Sequence, residues 1–396
     1  MFSPQVEWLP PTEFPDLSKY DEIAIDLETK DPNLKTMGSG SVTGQGQIVG
    51  IAVAVHDWSG YYPIRHEGGG NMDHEIVTRW FQNVLKTPAK KIFHNAMYDV
   101  CFLRAERYEI QGTIIDTMIA GSLVDENRFR YDLGSMGRDY VGKGKNEAVL
   151  AETAKEWGID PKSEMYKLPA MYVGEYAEQD ARLTLELWQE MKKEIIAQDI
   201  ESIFQLETSL FPCLVDMRFL GVRVDIEAAH RLKQKLVQEE NQCLQQVKKE
   251  TGIDTQIWAA RSIAQVFEKL SLPFDRTEKT QAPSFTKNFL QNHPHPMVQK
   301  IARAREINKA HTTFIDTIIK HEHEGRIFAE INQLRSDQGG TVTGRFSYAN
   351  PNLQQIPARN KELGPMIRSL FIPEEKCTWG VFDYSQQEPR LVVHYA

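Results

Sequence analysis

At 396 residues the chain exceeds one usual hydrophobic core, so two or three domains are expected. Apolar residues make up 41% and charged residues 26%, the balance of an ordinary globular protein rather than a disordered or membrane-embedded one. A net charge of −9 rules out bulk charge as the means of attracting nucleic acid and leaves local patches and metal ions. No apolar run is long enough to span a bilayer, and Met1 to Pro15 lacks the basic and apolar regions of a secretory signal. Cys101, Cys213, Cys243 and Cys377 are scattered singly, which speaks against a disulfide framework or a zinc cluster and fits a reducing cytoplasm.

Pro4, Pro10, Pro11 and Pro15 make the first twenty residues an irregular arm. Ile23-Ala24-Ile25-Asp26-Leu27-Glu28-Thr29 then reads as a buried strand. Side chains alternate in a strand, so Asp26 and Glu28 share one face and Ile25 and Leu27 the other. Two like charges this close need neutralising, and a hard divalent cation does that through carboxylate oxygens. After a Gly-rich loop (37–46), 47–55 reads as a second strand. Asp57-Trp58-Ser59-Gly60 reads as a hairpin turn into a third strand, 61–65. Residues 71–86 form an amphipathic helix with Ile76, Trp80, Val84 and Leu85 on its apolar stripe. A strand at 91–93 enters a helix over 96–107, with Asn95 at its start and Asp99 in its first turns. Residues 114–117 repeat the strand-to-helix pattern. A meander followed by helix–strand alternation predicts an α/β domain with a mixed sheet.

Gly134 to Gly144 reads as a polar, mobile connection, and 168–196 as a long helical region. Tyr176 and Asp180, four apart, share a face of that helix. Further helices are expected at 204–219 (capped by Gly221), 226–251, 258–270, 284–291 and 297–321, with a short strand at 222–225. Arg303, Arg305 and Lys309 lie on the last of these, where basic side chains suit a nucleic-acid backbone. Residues 326–332 read as a strand. Thr343-Gly344-Arg345 and Pro351-Asn352-Leu353-Gln354-Gln355-Ile356-Pro357-Ala358-Arg359 follow, rich in side chains that suit sugar, phosphate and minor-groove contacts. Residues 378–385 read as an apolar strand ending at Asp383. Gln386 to Leu391 opens a helix, with Pro389 in its first turn.

The order Asp-x-Glu, Asn-x-x-x-Asp, Tyr-x-x-x-Asp resembles the proofreading 3′–5′ exonuclease of the bacterial DNA polymerase I family, family A. Thr343-Gly344-Arg345 with the Pro-Asn-Leu-Gln-Gln-Ile-Pro run is similar to that family's primer–template signature, and Asp383-Tyr384-Ser385-Gln386-Gln387-Glu388 to its polymerase motif A. The resemblance runs from Glu22 to the end of the chain and is of the phage-like kind. It implies a ribonuclease H-like α/β exonuclease domain (1–200), a mainly α thumb without an insertion (201–325) and part of an α+β palm (326–396).

By the same resemblance, Asp26, Glu28 and Asp180 hold one Mg²⁺ or Mn²⁺ ion and Asp26 and Asp99 a second. Tyr176 orients the attacking water, and Asn95 meets the frayed primer end. Asp383 holds polymerase metals, and Glu388 blocks a 2′-hydroxyl. Arg345, Asn352, Gln354 and Arg359 contact duplex DNA. The implied partners are a single-stranded DNA 3′ end and a primer–template. The family's fingers helix and second palm acid have no match in the 396 residues, and Gln387 and Pro389 stand where most relatives carry apolar residues. Deoxynucleotide binding is therefore expected only once palm and fingers are completed, for which a second polypeptide is the candidate. The alternatives are a free-standing 3′–5′ exonuclease and a DNA-binding subunit of a split polymerase.

Overall fold

The computed structural model describes residues 6–337 and 339–396; Pro4 of the expected arm lies outside them. The chain divides into two compact units, one of residues 1–221 and 328–355, the other of 222–327 and 356–396.

The first unit is built on a five-stranded sheet of order β3-β2-β1-β4-β5. Its strands are β1 (Glu22–Lys30), β2 (Gln47–Val55), β3 (Trp58–Pro63), β4 (Lys90–Phe93) and β5 (Ile114–Asp116). β1 pairs antiparallel with β2 and parallel with β4, so the sheet is mixed, as expected. The β2–β3 register joins Val55 to Trp58, so the turn is His56-Asp57 and Trp58 to Gly60 already belong to the strand. Glu28 lies opposite Gly50. A Cβ on Gly50 would sit 2.0 Å from the phenol oxygen of the fully buried Tyr61, so only glycine lets that ring lie beside the acid-bearing strand.

Helices α1 (His74–Leu85), α2 (Ala96–Ala105) and α3 (Thr117–Val124) precede a long α4 (Gly174–Ala197) that packs across β1, β2 and β3. Asp73 caps α1 by accepting from the amides of Glu75 and Ile76. Its buried stripe is Val77, Phe81, Val84 and Leu85, while Ile76 is exposed, one position off the expected face. Most of the stretch expected to be a mobile connection is helical: 133–136 is an α turn and 137–141 a wider π turn, and only 142–144 stay irregular. Buried Leu133 and Met136 anchor it, an apolar pair at helical spacing that the flanking glycines obscure. The expected helix over 168–196 starts later, after two short 3₁₀ turns. The helix Glu201–Leu220 and the hairpin of Glu330–Asn332 with Ser347–Ala349 also belong to this unit. The compact division therefore follows different lines from the sequence boundaries at 200 and 325.

The second unit is mainly helical, with the long helix Ile226–Thr251 capped by Asp225. It packs against Pro296–Lys309, whose path continues through a π turn to His321. Two of the three basic side chains expected to face nucleic acid, Arg303 and Arg305, are occupied within the unit. Arg303 reaches Glu239, Glu306 and Glu362, and Arg305 donates to the carbonyls of Ile257 and Phe285. The expected strand 326–332 is two short strands, Arg326–Ile327 in this unit and Glu330–Asn332 in the other. The strand expected at 378–385 does not form. Among the described residues no strand pairs with it, and Val381, Phe382 and Tyr384 are exposed. An apolar run stays out of a ladder when no neighbouring strand takes its amides and carbonyls. The closing helix, Gln387–Tyr395, is present and buries no side chain.

Candidate active site

Asp26 and Glu28 stand on β1 with Ile25 and Leu27 turned into the core between them. Asp99 arrives from the first turn of α2, and its Oδ1 accepts from the amide of Leu27 at 3.1 Å, which ties it to the same strand. Asp180 comes from α4 and is 2% exposed. Each carboxyl is pushed above its ordinary range, chiefly by burial, and Asp26, Glu28 and Asp99 also by neighbouring acids. Asp26 rises to about 7 with Asp180 beside it, Glu28 well above its usual value beside Asp26 and Asp180, and Asp99 well above beside Asp26. Asp180 is raised by burial against the opposing pull of Lys145. Four mutually repelling acids drawn from three elements are thus held in one place.

The counter-charge is Lys145, one residue past the stretch expected to be a mobile connection and not singled out from the sequence. Its Nζ donates to Asp180 Oδ2 and, at 3.1 Å, to the Tyr176 hydroxyl. That shared ammonium shows Tyr176 and Asp180 on one face of α4. A basic residue in a Gly-Lys-Gly-Lys run (142–145), on a chain whose acids had already been singled out, was the available signal.

Asn95 takes a left-handed backbone, φ 65°, ψ 50°. It occupies the N-cap position of α2 without a side-chain capping bond. Asp116 supplies the cap, its carboxylate accepting from the amides of Asn95 at 3.0 Å and Ala96 at 2.8 Å. Asp116 also caps α3 through the Met118 amide, and burial lifts it to about 6. The Asn95 side chain is left to line the same cleft as Asp26, Glu28, Tyr176 and Asp180. That cleft, about 1110 Å³, lies wholly within the first unit. Asp116 and Lys145 are thus positioning residues that pattern reading did not reveal.

The other expected site residues are not gathered with these. Arg345 and Asn352 are exposed in the first unit, and Gln354 donates to the Phe346 carbonyl. Arg359, Asp383 and Glu388 are exposed in the second unit.

The donor chemistry suits a hard divalent cation. Four carboxylates offer only oxygen, and Asp180 Oδ1 is buried without a hydrogen-bond partner. Among the described residues no group of three or more such side chains is drawn into a coordination set; the Lys145 ammonium sits on Asp180 instead.

A mixed sheet with acids converging from its central strand and flanking helices defines an acid-cluster α/β domain. Residues 14–196 match the 3′-5′ exonuclease family and residues 226–396 match DNA polymerase family A. The chain thus carries an exonuclease-family region followed by a polymerase-family region. It is 35% identical to a DNA-directed DNA polymerase of Pseudomonas phage M6, over 98% of this chain and 61% of that protein. With the DNA polymerase DpoZ of Salmonella phage PMBT28 it shares 29% over 97% and 63%, and with DNA polymerase I of Pseudomonas aeruginosa 28% over 96% and 41%. The chain thus spans about three-fifths of the length of these phage relatives. The fold is similar to the polymerase domain of Pol1 from M. smegmatis, solved with DNA primer-template and dNTP: TM-score 0.68, 19% identity, 90% of this chain and 56% of that one.

The raised carboxyl of Asp26 fixes a sign for metal-free stability. Its pKa is about 3.8 unfolded and about 7 folded, so the folded state holds the extra proton between these values and this group's contribution falls as pH rises through them. Asp26→Asn should raise the melting temperature of the protein in EDTA at pH 8, on the order of a few degrees. The gain should shrink from pH 7 towards pH 4. A loss at pH 8, or a gain that does not vary with pH, would contradict the repulsion described.

Proposed function

We propose that the first unit is a metal-dependent 3′–5′ exodeoxyribonuclease that proofreads for a family A DNA polymerase. On this reading, 1–200 is the exonuclease domain, 201–325 thumb and 326–396 the beginning of a palm. The observation that carries it is the convergence of Asp26, Glu28, Asp99 and Asp180, with Asp180 Oδ1 buried and unpaired. Acids packed this way cost stability unless they meet a counter-charge, and a nuclease uses such a site. The match of residues 226–396 to the polymerase family favours this over a free-standing exonuclease.

Asp26, Glu28 and Asp180 would hold one Mg²⁺ or Mn²⁺ ion and Asp26 and Asp99 a second. Bound there, such ions would lower the pKa of a coordinated water and offset charge at the scissile phosphodiester. The chain's own groups do the rest. The Tyr176 hydroxyl, on the Asp180 face, orients the attacking water. The Asn95 side chain binds the terminal nucleotide, its backbone amide being held by Asp116. The hydrophobic sheet behind the acids keeps their geometry fixed. The substrate is the single-stranded 3′ end of DNA, in the cytoplasm of a bacterial or phage-infected cell. Arg345, Asn352, Gln354 and Arg359 are assigned to primer–template duplex, Asp383 to the polymerase metals and Glu388 to exclusion of the 2′-hydroxyl.

With Mg²⁺ the protein should release 5′-mononucleotides from single-stranded DNA. Asp180→Ala should lower the rate at least ~10³-fold with the fold retained, and Tyr176→Phe by a smaller factor, ~10–100-fold, because only a hydroxyl is lost. A folded wild-type protein without metal-dependent 3′ degradation would sink the reading, and equal losses in the two variants would overturn the ranking.

Asp383 stands exposed on a segment without strand structure, beside exposed Phe382 and Tyr384. A nucleotidyl-transfer site needs its acid on a rigid element. This chain by itself should therefore fail to extend a primed template, while a polypeptide supplying the remaining palm and fingers should restore synthesis. Templated extension by the purified chain alone would contradict this.

A further inference from the structure

We infer that Phe129 is a base-stacking platform for the single-stranded 3′ segment entering the acid cleft; this rests on the exonuclease reading and names one subsite of it. Phe129 is 90% exposed and lines the same cleft as Asp26, Glu28 and Asp180. A single exposed apolar side chain is ordinary on a protein surface. What sets this one apart is the way its neighbours are held while it is not.

On one side, Arg128 is anchored. Its Nη2 donates to Asp139 at 2.6 Å, its Nε donates to the Arg130 carbonyl, and its guanidinium lies over the Tyr140 ring. On the other side, Tyr131 is 1% exposed. Its hydroxyl donates to the Asp125 carbonyl at 2.7 Å and its amide to Asp337 Oδ1 at 2.8 Å. The Asn127 amide donates to Asp125 Oδ1, closing the turn that leads in. The loop is thus fixed at both ends and presents one phenyl ring outward over a polar cleft.

Cationic side chains share that lining: Arg130, Lys162 and Arg335. An exposed aromatic face in a cleft that also carries cations and carboxylates is a pattern that takes a nucleic-acid strand, bases on the ring and phosphates on the cations. A ring without hydrogen-bonding atoms stacks with any base, which suits an enzyme that must accept every sequence. The ring is not one of the metal-holding groups, so its contribution falls on binding of the strand rather than on the chemical step.

The test uses the full chain and oligodeoxynucleotides carrying 2-aminopurine at successive positions from the 3′ end, with Ca²⁺ in place of Mg²⁺ for binding. With wild type, one position should show fluorescence quenching from stacking. Phe129→Ala should abolish the quenching there, weaken binding about tenfold, as one lost base stack does, and raise KM with kcat kept. Phe129→Trp should retain all three properties. The salt dependence of binding should be the same in both variants as in wild type, because no phosphate contact is removed. Unchanged quenching and KM in Phe129→Ala, or a loss confined to kcat, would overturn the inference and leave the exonuclease reading standing. A wild-type protein that neither binds nor degrades the oligonucleotides would overturn both.

Discussion

The constraint on which the first unit depends is the mutual repulsion of desolvated carboxylates at the end of β1. Two like charges about 4 Å apart repel by about 4 kcal/mol in a partly buried setting, and here four such groups share one site. The fold meets this in three ways. Burial raises the carboxyls so that protons are retained. The Leu27 amide fixes Asp99 by a hydrogen bond. Lys145 places an ammonium against Asp180 and Tyr176. None of these removes the demand for positive charge, and all are arrangements that a cation can replace without rebuilding the sheet.

The surrounding structure serves to hold that arrangement. Gly50 admits the Tyr61 ring opposite Glu28, and Asp116 ties the starts of two helices to the strand ends that carry them. The segment 328–355, far along the chain, belongs to the same unit. Glu330 accepts from the Ser39 amide and from the Asn350 side chain, and Gln333 donates to the Glu207 carbonyl. The Arg335 carbonyl accepts from Ser122 at 2.5 Å. A stretch from the polymerase-family region thereby becomes a wall of the acid cleft. The acid cleft is therefore built with residues from both parts of the sequence.

Much of this was legible beforehand because the relevant signals are local. Strand alternation put Asp26 and Glu28 together, helical spacing put Tyr176 and Asp180 together, and the meander with its later helix–strand alternation described the sheet. What was not legible depended on distant partners. Lys145 is 35 residues from Asp180 and gains its meaning only from that contact. Asn95 reads as an ordinary cap, yet the cap is Asp116, 21 residues on. The glycines at 134 and 137 suggested a loop, whereas burial of Leu133 and Met136 decided for helix. The apolar stretch before Asp383 has strand composition, but composition does not supply a pairing strand. Arg303 and Arg305 looked available for phosphates until packing gave them carboxylates and carbonyls at close range.

On the proposed reading Asp26, Glu28, Asp99 and Asp180 take divalent cations and Lys145 gives up its place on Asp180. Crystals soaked in Mn²⁺ and measured at a wavelength where manganese scatters anomalously test this most directly. The account predicts two anomalous peaks among Asp26, Glu28, Asp99 and Asp180, with the Lys145 ammonium moved off Asp180. No peak at these carboxylates at saturating Mn²⁺, with Lys145 still bonded to Asp180, would contradict it.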